Sequence, residues 1–210
     1  TGDFQADNAS LENTLDIYCV AATIPEADIR IYITENSLQG FSNAIFSAIE
    51  EECDVISISW GLSESVLVEF EVGDFLQKAL DTASARKISV FVATGDYGST
   101  AEPYDTAPFA GYPASSPQVT AVGGTTLLLN EYNERDTEVA DRNSGGGLSV
   151  MFNKPSYQHN CYYTEYGGMV EIGGGAQPIA QLAVRGIPDI AAPMQNYVFY
   201  FGDELVVVGG

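Results

Sequence analysis

DVISISW at residues 54–60 and ISVFVAT at residues 88–94 are the two most strand-like stretches of the chain. Both are β-branched and largely apolar, without the strict polar alternation of a strand wetted on one side, so they suit a sheet covered on both faces. Working outward, apolar residues recur at helical spacing over 42–51 and 74–86, which places a helix before and between them. A shorter strand is expected at 119–122. Upstream, residues 11–22 read as a helix with Ser10 as its cap, and DIRIYIT at 28–34 reads as a strand. This alternation gives an α/β fold: a doubly wound, mostly parallel sheet with helices on both faces.

The rhythm weakens after Gly123. Residues 130–187 are rich in Gly, Asn, Tyr and Ser and contain the runs Gly145-Gly146-Gly147 and Gly173-Gly174-Gly175. Long ordered loops and short strands are expected there. Residues 197–201 and 204–208 can pair as a hairpin around Gly202-Asp203, and no internal repeat is present. The closing VVVGG reads as a strand entering a turn that is cut off, and Thr1 reads as a processed end.

Composition narrows the function. In 210 residues there are 8 Lys and Arg against 29 Asp and Glu, a net charge of −21. Nucleic acid is excluded as a partner, because phosphate contacts need Lys and Arg to displace counterions. Anionic membrane surfaces are excluded for the same reason. No apolar run reaches the roughly 18 residues of a membrane span. Hydrophobic residues make up 45% and charged residues 18%, which argues against intrinsic disorder. So acidic a chain suits an acidic compartment, where protonation relieves self-repulsion. Cys19, Cys53 and Cys161 allow one internal pair and one thiol for another chain, or three buried free thiols. Cys161, in a Tyr-rich loop, is the better candidate for a bridge to another chain. Asn8-Ala9-Ser10 has the pattern of a glycosylation acceptor.

In open parallel sheets ligands bind beyond the carboxyl ends of the strands. Ser59-Trp60-Gly61 follows the first core strand, and Thr94-Gly95-Asp96-Tyr97-Gly98 follows the second. The second turn puts a carboxyl in the crevice, or it is a structural Asx-turn. Glu12 and Asp16 lie four apart, hence on one helix face. Such a pair repels, so one pKa rises and a proton can be shared, which suits acid–base work at low pH. The plainer alternative is a solvated acidic face.

Other catalytic classes fail on inventory. The only histidine, His159, lies in the polar SYQHNC segment, and no G-x-S-x-G elbow occurs. No G-x-x-x-x-G-K-[ST] phosphate loop exists. One His and three scattered Cys do not make a zinc site.

Taken in order, these pieces resemble the sedolisin family, the serine-carboxyl peptidases of subtilisin-like fold. Glu12 and Asp16 match the family's E-x-x-x-D pair. VISISWG at 55–61 is similar to its substrate-binding edge, and FVATGDYG at 91–98 to its S-G-D-x-G segment, with Thr94 in place of Ser. YPASSPQVTAVGGTTL at 112–127, SGGGLS at 144–149 and RGIPDIAAP at 185–193 also resemble the family.

The resemblance implies that Glu12 is the general base and acid, that Asp16 orients it, and that a protonated Asp96 donates to the oxyanion. It implies that Ser59, Trp60 and Gly61 line one side of a peptide cleft and Gly145, Gly146 and Gly147 the other. The family's nucleophile is the Ser of a Gly-Thr-Ser motif, which would follow Gly210. The chain is accordingly expected to be the N-terminal portion, residues 1–210, of a single peptidase catalytic domain, lacking its C-terminal part. The expected partner is a C-terminal chain of the same precursor carrying Thr-Ser and the family's calcium site, with no metal site in this chain. Peptide or protein substrates and a secreted, lysosomal or acidic vacuolar location are expected. The alternatives are an inactive peptide-binding module, a tripeptidyl-peptidase-like exopeptidase and an α/β small-molecule binding domain.

Overall fold

A computed structural model of the chain describes residues 8–70, 74–103, 105, 107–164 and 179–210. In chain order its elements are α1 (Asn8–Thr23), α2 (Leu38–Glu50), β1 (Val55–Ile58), β2 (Leu62–Ser63), α3 (Glu64–Phe70), α4 (Asp74–Ala85) and β3 (Ser89–Ala93). There follow β4 (Gly111–Tyr112), β5 (Thr120–Leu129), β6 (Arg135–Ala140), β7 (Gly147–Asn153), β8 (Tyr162–Thr164) and β9 (Ile179–Gln181). The last are β10 (Val184–Ile187), β11 (Ile190–Pro193), β12 (Tyr197–Phe201) and β13 (Glu204–Val208).

The central sheet runs β1-β3-β5-β11, and every pair on that path is parallel. β6 adds an antiparallel edge by folding back on the distal half of β5, which is why β5 outruns the short strand expected at 119–122. In β3, Val90 and Val92 are buried while Ser89 and Ala93 are exposed. Val90, Val92 and Ile58 of β1 meet Ile45 and Ile49 of α2 and Leu76 and Leu80 of α4 in one hydrophobic core. α2 begins where the Ser37 hydroxyl accepts from the Gly40 N–H at 3.0 Å, an N-cap that satisfies a donor left free by the helix start.

The opposite face of the sheet carries Ser57, Phe91, Val122 and Ala192. With Met194 and Tyr197 these residues line a hollow of about 220 Å³. The hairpin of β12 and β13 forms at the expected residues, with Phe201 opposite Glu204. α1 rests on β12, where Tyr18 stacks on Phe199 at 5.3 Å.

Three local expectations change. Residues 28–34 form no strand: Ile33 is 87% exposed, and Arg30 and Tyr32 bond the carboxylate of Glu51 at 3.3 and 2.9 Å. Side-chain bonds to the end of α2 hold this segment in place of a backbone ladder. Ser10 lies within the helix rather than capping it, its carbonyl accepting from the Thr14 hydroxyl. α3 was not anticipated, because ESVLVEF carries β-branched residues that disfavour helix. Burial of Leu67, 1% exposed, overrides that preference, and Glu64 in the first turn complements the helix dipole.

Leu80 is fully buried at the helix–sheet contact. Leu80→Ala is expected to lower stability by about 2–5 kcal/mol, checked by chemical denaturation of the protein that carries this chain.

Candidate active site

β3 ends at Ala93, and after Thr94 the chain turns through Gly95 and Gly98 at φ values of 101° and 67°. These are left-handed conformations that glycine adopts without steric penalty. The turn presents Asp96 at the carboxyl edge of the sheet. It is held from behind by residues 143–146. The Thr94 hydroxyl donates to the Gly145 carbonyl at 2.8 Å. The Gly145 N–H donates to Gly95 O at 2.5 Å, Gly146 N–H to Gly98 O at 3.0 Å, and Gly98 N–H to Asn143 O at 2.9 Å. The approach leaves no room for a side chain, since a Cβ on Gly145 would lie 1.9 Å from the Thr94 carbonyl oxygen.

α1 delivers the second and third carboxylates. Asp16 accepts from the Ser59 hydroxyl at 2.9 Å, which ties the helix to the end of β1. Burial raises the Asp16 pKa, and the bond from Ser59 lowers it in part. Glu12 is pushed up to about 7 by burial, then by the charges of Asp16 and Asp96. Asp96 opens to solvent at the mouth of the hollow, but protein crowds its remaining sides. That partial desolvation raises its pKa, and the Asp141 charge adds to it.

Three carboxyl groups from two distant segments therefore meet at one strand edge, each favouring its protonated form. A protonated carboxyl donates a hydrogen bond and an ionised one takes a proton, so the group can do both. Gly210 borders this group: its N–H donates to Met194 O at 3.0 Å, and a Cβ there would be 3.7 Å from Asp96 Oδ2.

The other expected site residues distribute around this centre. Ser59 is half-buried beside Asp16, Trp60 is half-buried against the hydrophobic core, and Gly61 is exposed. Gly145 and Gly146 border the Asp96 turn, and Gly147 lies against Phe109, whose carbonyl oxygen would be 2.7 Å from a Cβ. His159 is exposed and faces the Ser156 carbonyl through Nδ1. The three cysteines are half-buried free thiols. The Gly173–Gly175 run lies outside the described residues.

Two polar residues escaped the sequence reading. Asp141 accepts from Thr126 Oγ1 at 2.5 Å, from the Asn143 N–H at 2.9 Å and from Gln195 Nε2 at 2.9 Å. These bonds, Thr126 first, hold its pKa low. The D-x-N pattern of residues 141–143 is an Asx-turn signal that could have marked it. Glu64 is fully buried and takes the Ser149 hydroxyl at 2.7 Å and the Val150 N–H at 2.6 Å. It thereby joins the segment after Gly61 to the strand that begins at Gly147. Nothing in its local sequence distinguished it.

A parallel sheet with acidic groups gathered at its carboxyl edge defines the class. A sequence profile described as the subtilase family matches residues 8–193, and the chain belongs to that family. It is 33% identical to kumamolisin of Bacillus sp. (strain MN-32), over 100% of this chain and 38% of that protein. It is 27% identical to tripeptidyl-peptidase 1 of Dictyostelium discoideum, over 100% of this chain and 34% of that protein. Among solved structures it superposes on Pseudomonas sedolisin, a serine-carboxyl proteinase complexed with two molecules of pseudo-iodotyrostatin. There the TM-score is 0.77 and the identity 25%, covering 100% of this chain and 59% of the other. The chain thus spans little more than a third of the length of these curated relatives.

The raised Glu12 has a consequence for stability. It stays protonated in the fold up to about pH 7, while the unfolded chain ionises it near 4.5. Its contribution is complete below pH 4.5 and is lost as pH rises through about 7. Thermal melts are expected to fall between pH 4.5 and 7.5, and Glu12→Gln is expected to flatten that fall.

Proposed function

We propose that the protein is an acid-acting serine-carboxyl peptidase that hydrolyses peptide bonds through an acyl-enzyme. The observation that carries this reading is the gathering of Glu12, Asp16 and Asp96 at one end of the sheet, with Asp16 tied to Ser59 at 2.9 Å and the Asp96 turn clamped by Gly145. In this reading residues 1–210 form the N-terminal portion of one catalytic domain. The nucleophilic serine lies past Gly210, on a C-terminal chain or segment of the same precursor. The position of Gly210 beside Asp96, where a Cβ would lie 3.7 Å from Asp96 Oδ2, supports that assignment.

The chemistry then proceeds in balanced steps. Glu12 and Asp16 hold one proton between them in the acid range. At rest the proton sits on Glu12, pushed up to about 7, while Asp16 accepts from the Ser59 hydroxyl; its passage to the free oxygen of Asp16 leaves Glu12 able to accept. The serine oxygen attacks the scissile carbonyl carbon while its proton passes to Glu12. The carbonyl electron pair moves to oxygen, and the protonated Asp96 donates a hydrogen bond to that oxyanion. Glu12 returns the proton to the leaving amine, the C–N bond breaks and the acyl-enzyme forms. Water then attacks with Glu12 as base, and the serine leaves with its proton restored.

An ionised Asp96 repels the oxyanion, so activity falls as pH rises through its pKa. Double protonation of the Glu12–Asp16 pair removes the base at the acid end. Backbone from residues 59–61 and 145–147 pairs with an extended peptide as an added strand.

No group of three or more His, Cys, Asp or Glu among the described residues could hold a metal. No step runs through the calcium implied by the resemblance. We place it with the C-terminal part. A secreted or acidic vacuolar location fits both the net charge of −21 and the chemistry. No helix among the described residues is long and apolar enough to cross a membrane.

Glu12→Gln is expected to lower kcat/KM on a peptide substrate at acid pH by about 10²–10⁴-fold. Asp96→Ala is expected to lower it by about 10²–10³-fold. Undiminished cleavage by either variant of the complete protein rejects the assigned roles.

A further inference from the structure

The Asp96 turn has a fourth carboxylate behind it. Asp141 ends the turn back from β6, where its own N–H donates to Gly124 O at 3.1 Å. Its Oδ2 is engaged by Thr126 and Gln195, and its Oδ1 by the Asn143 N–H. These donors come from β5, from the loop between β11 and β12, and from its own turn. A carboxylate with three donors and 8% exposure is built to remain an anion. The turn it organises is also the one that grips Asp96: Asn143 O receives Gly98 N–H, and Gly145 and Gly146 bond Gly95 and Gly98.

We infer that Asp141 is a positioning residue for Asp96: its turn fixes the loop that carries Asp96, and its negative charge adds to burial in favouring the protonated form of that carboxyl. The inference rests on the proposed oxyanion role of Asp96 and adds what sets the upper pH limit of that role. The charge of Asp141 is felt at Asp96, as ordinary like-charge repulsion requires. The other titratable groups facing Asp96 are Glu12 from α1, with Asp16 behind it, and Tyr197 across the hollow. In the acid range Glu12 and Asp16 share a proton and Tyr197 is neutral. Arg142 is the positive group close to Asp141. Its side chain is exposed, where solvent and salt screen it. Glu12 and Asp16 then carry one negative charge between them, while Asp141 carries one of its own that three donors hold in place.

The test compares the complete protein with its Asp141→Asn variant by two readouts. The first is titration of the Asp96 carboxyl carbon by NMR, and the second is the pH profile of kcat/KM on an extended peptide. Asp141→Asn is expected to move the Asp96 titration and the alkaline limb of the profile together to lower pH, with the acid plateau less affected. Asp136→Asn, an exposed charge change on β6, is expected to move neither.

Thr126→Val strips one donor from Asp141 while leaving its turn; Asp141 then takes up its proton at higher pH, and a smaller downward shift of the Asp96 titration is expected. It keeps the inference testable if Asp141→Asn does not fold. An unmoved Asp96 titration in the substituted proteins overturns the inference. So does a loss of activity equal at every pH, which is what a merely structural residue produces. If the unaltered protein cleaves no peptide but the Asp96 titration still shifts, the peptidase reading fails and the electrostatic inference stands.

Discussion

The seam between Thr94 and Gly145 is the contact on which the site depends. A β-strand must stop pairing before its last side chain can serve as a ligand or donor, and the backbone groups so released must find partners. Here residues 143–146 supply those partners within one turn. The Thr94 hydroxyl satisfies Gly145 O, and the next three bonds alternate donor and acceptor across the two loops. Such a seam needs contact distances that only glycine permits, so the glycine run at 145–147 is a packing requirement before it is anything else. Asp96 is consequently rigid where a loop residue would ordinarily be mobile.

Rigidity matters because the groups gathered there repel. Left free, three carboxyls near one another would rotate away toward water. Asp16 is held by Ser59 and Asp96 by its clamped turn, while Glu12 shares a helix face with Asp16. Burial raises all three pKa values, and at Glu12 the charges of Asp16 and Asp96 add to it. One favourable bond, that of the Ser59 hydroxyl to Asp16, makes the pair unequal. Inequality is what lets two like groups take different protonation states and hence different roles.

The parts of this arrangement legible in the sequence are those written in local pattern. Helical spacing placed Glu12 and Asp16 on one face. The strand-then-Gly-Asp pattern placed Asp96 at a carboxyl edge, and the two core strands announced the sheet. What stayed hidden depends on partners far apart in the chain. Residues 28–34 have the alternation of a strand, yet they form no backbone ladder and meet Glu51 through the side chains of Arg30 and Tyr32. Glu64 reads as a surface acid until Ser149, 85 residues on, is seen to meet it. Asp141 looks like one of 29 acids until its three donors converge.

Those 29 acids and the site obey the same variable. At neutral pH a net charge of −21 opposes compaction through self-repulsion, and acidification relieves it. The raised groups at the strand edge are stabilised in the same direction, since each favours the proton it holds in the fold. Asp141 runs the other way: its low pKa means it keeps its charge to lower pH than an ordinary aspartate. A chain with one such anion fixed behind several protonatable groups keeps a defined electrostatic gradient after most of its surface charge has been neutralised. The acid range thus favours the compact fold and the protonated form of Asp96 together, while the charge that maintains that form is still in place.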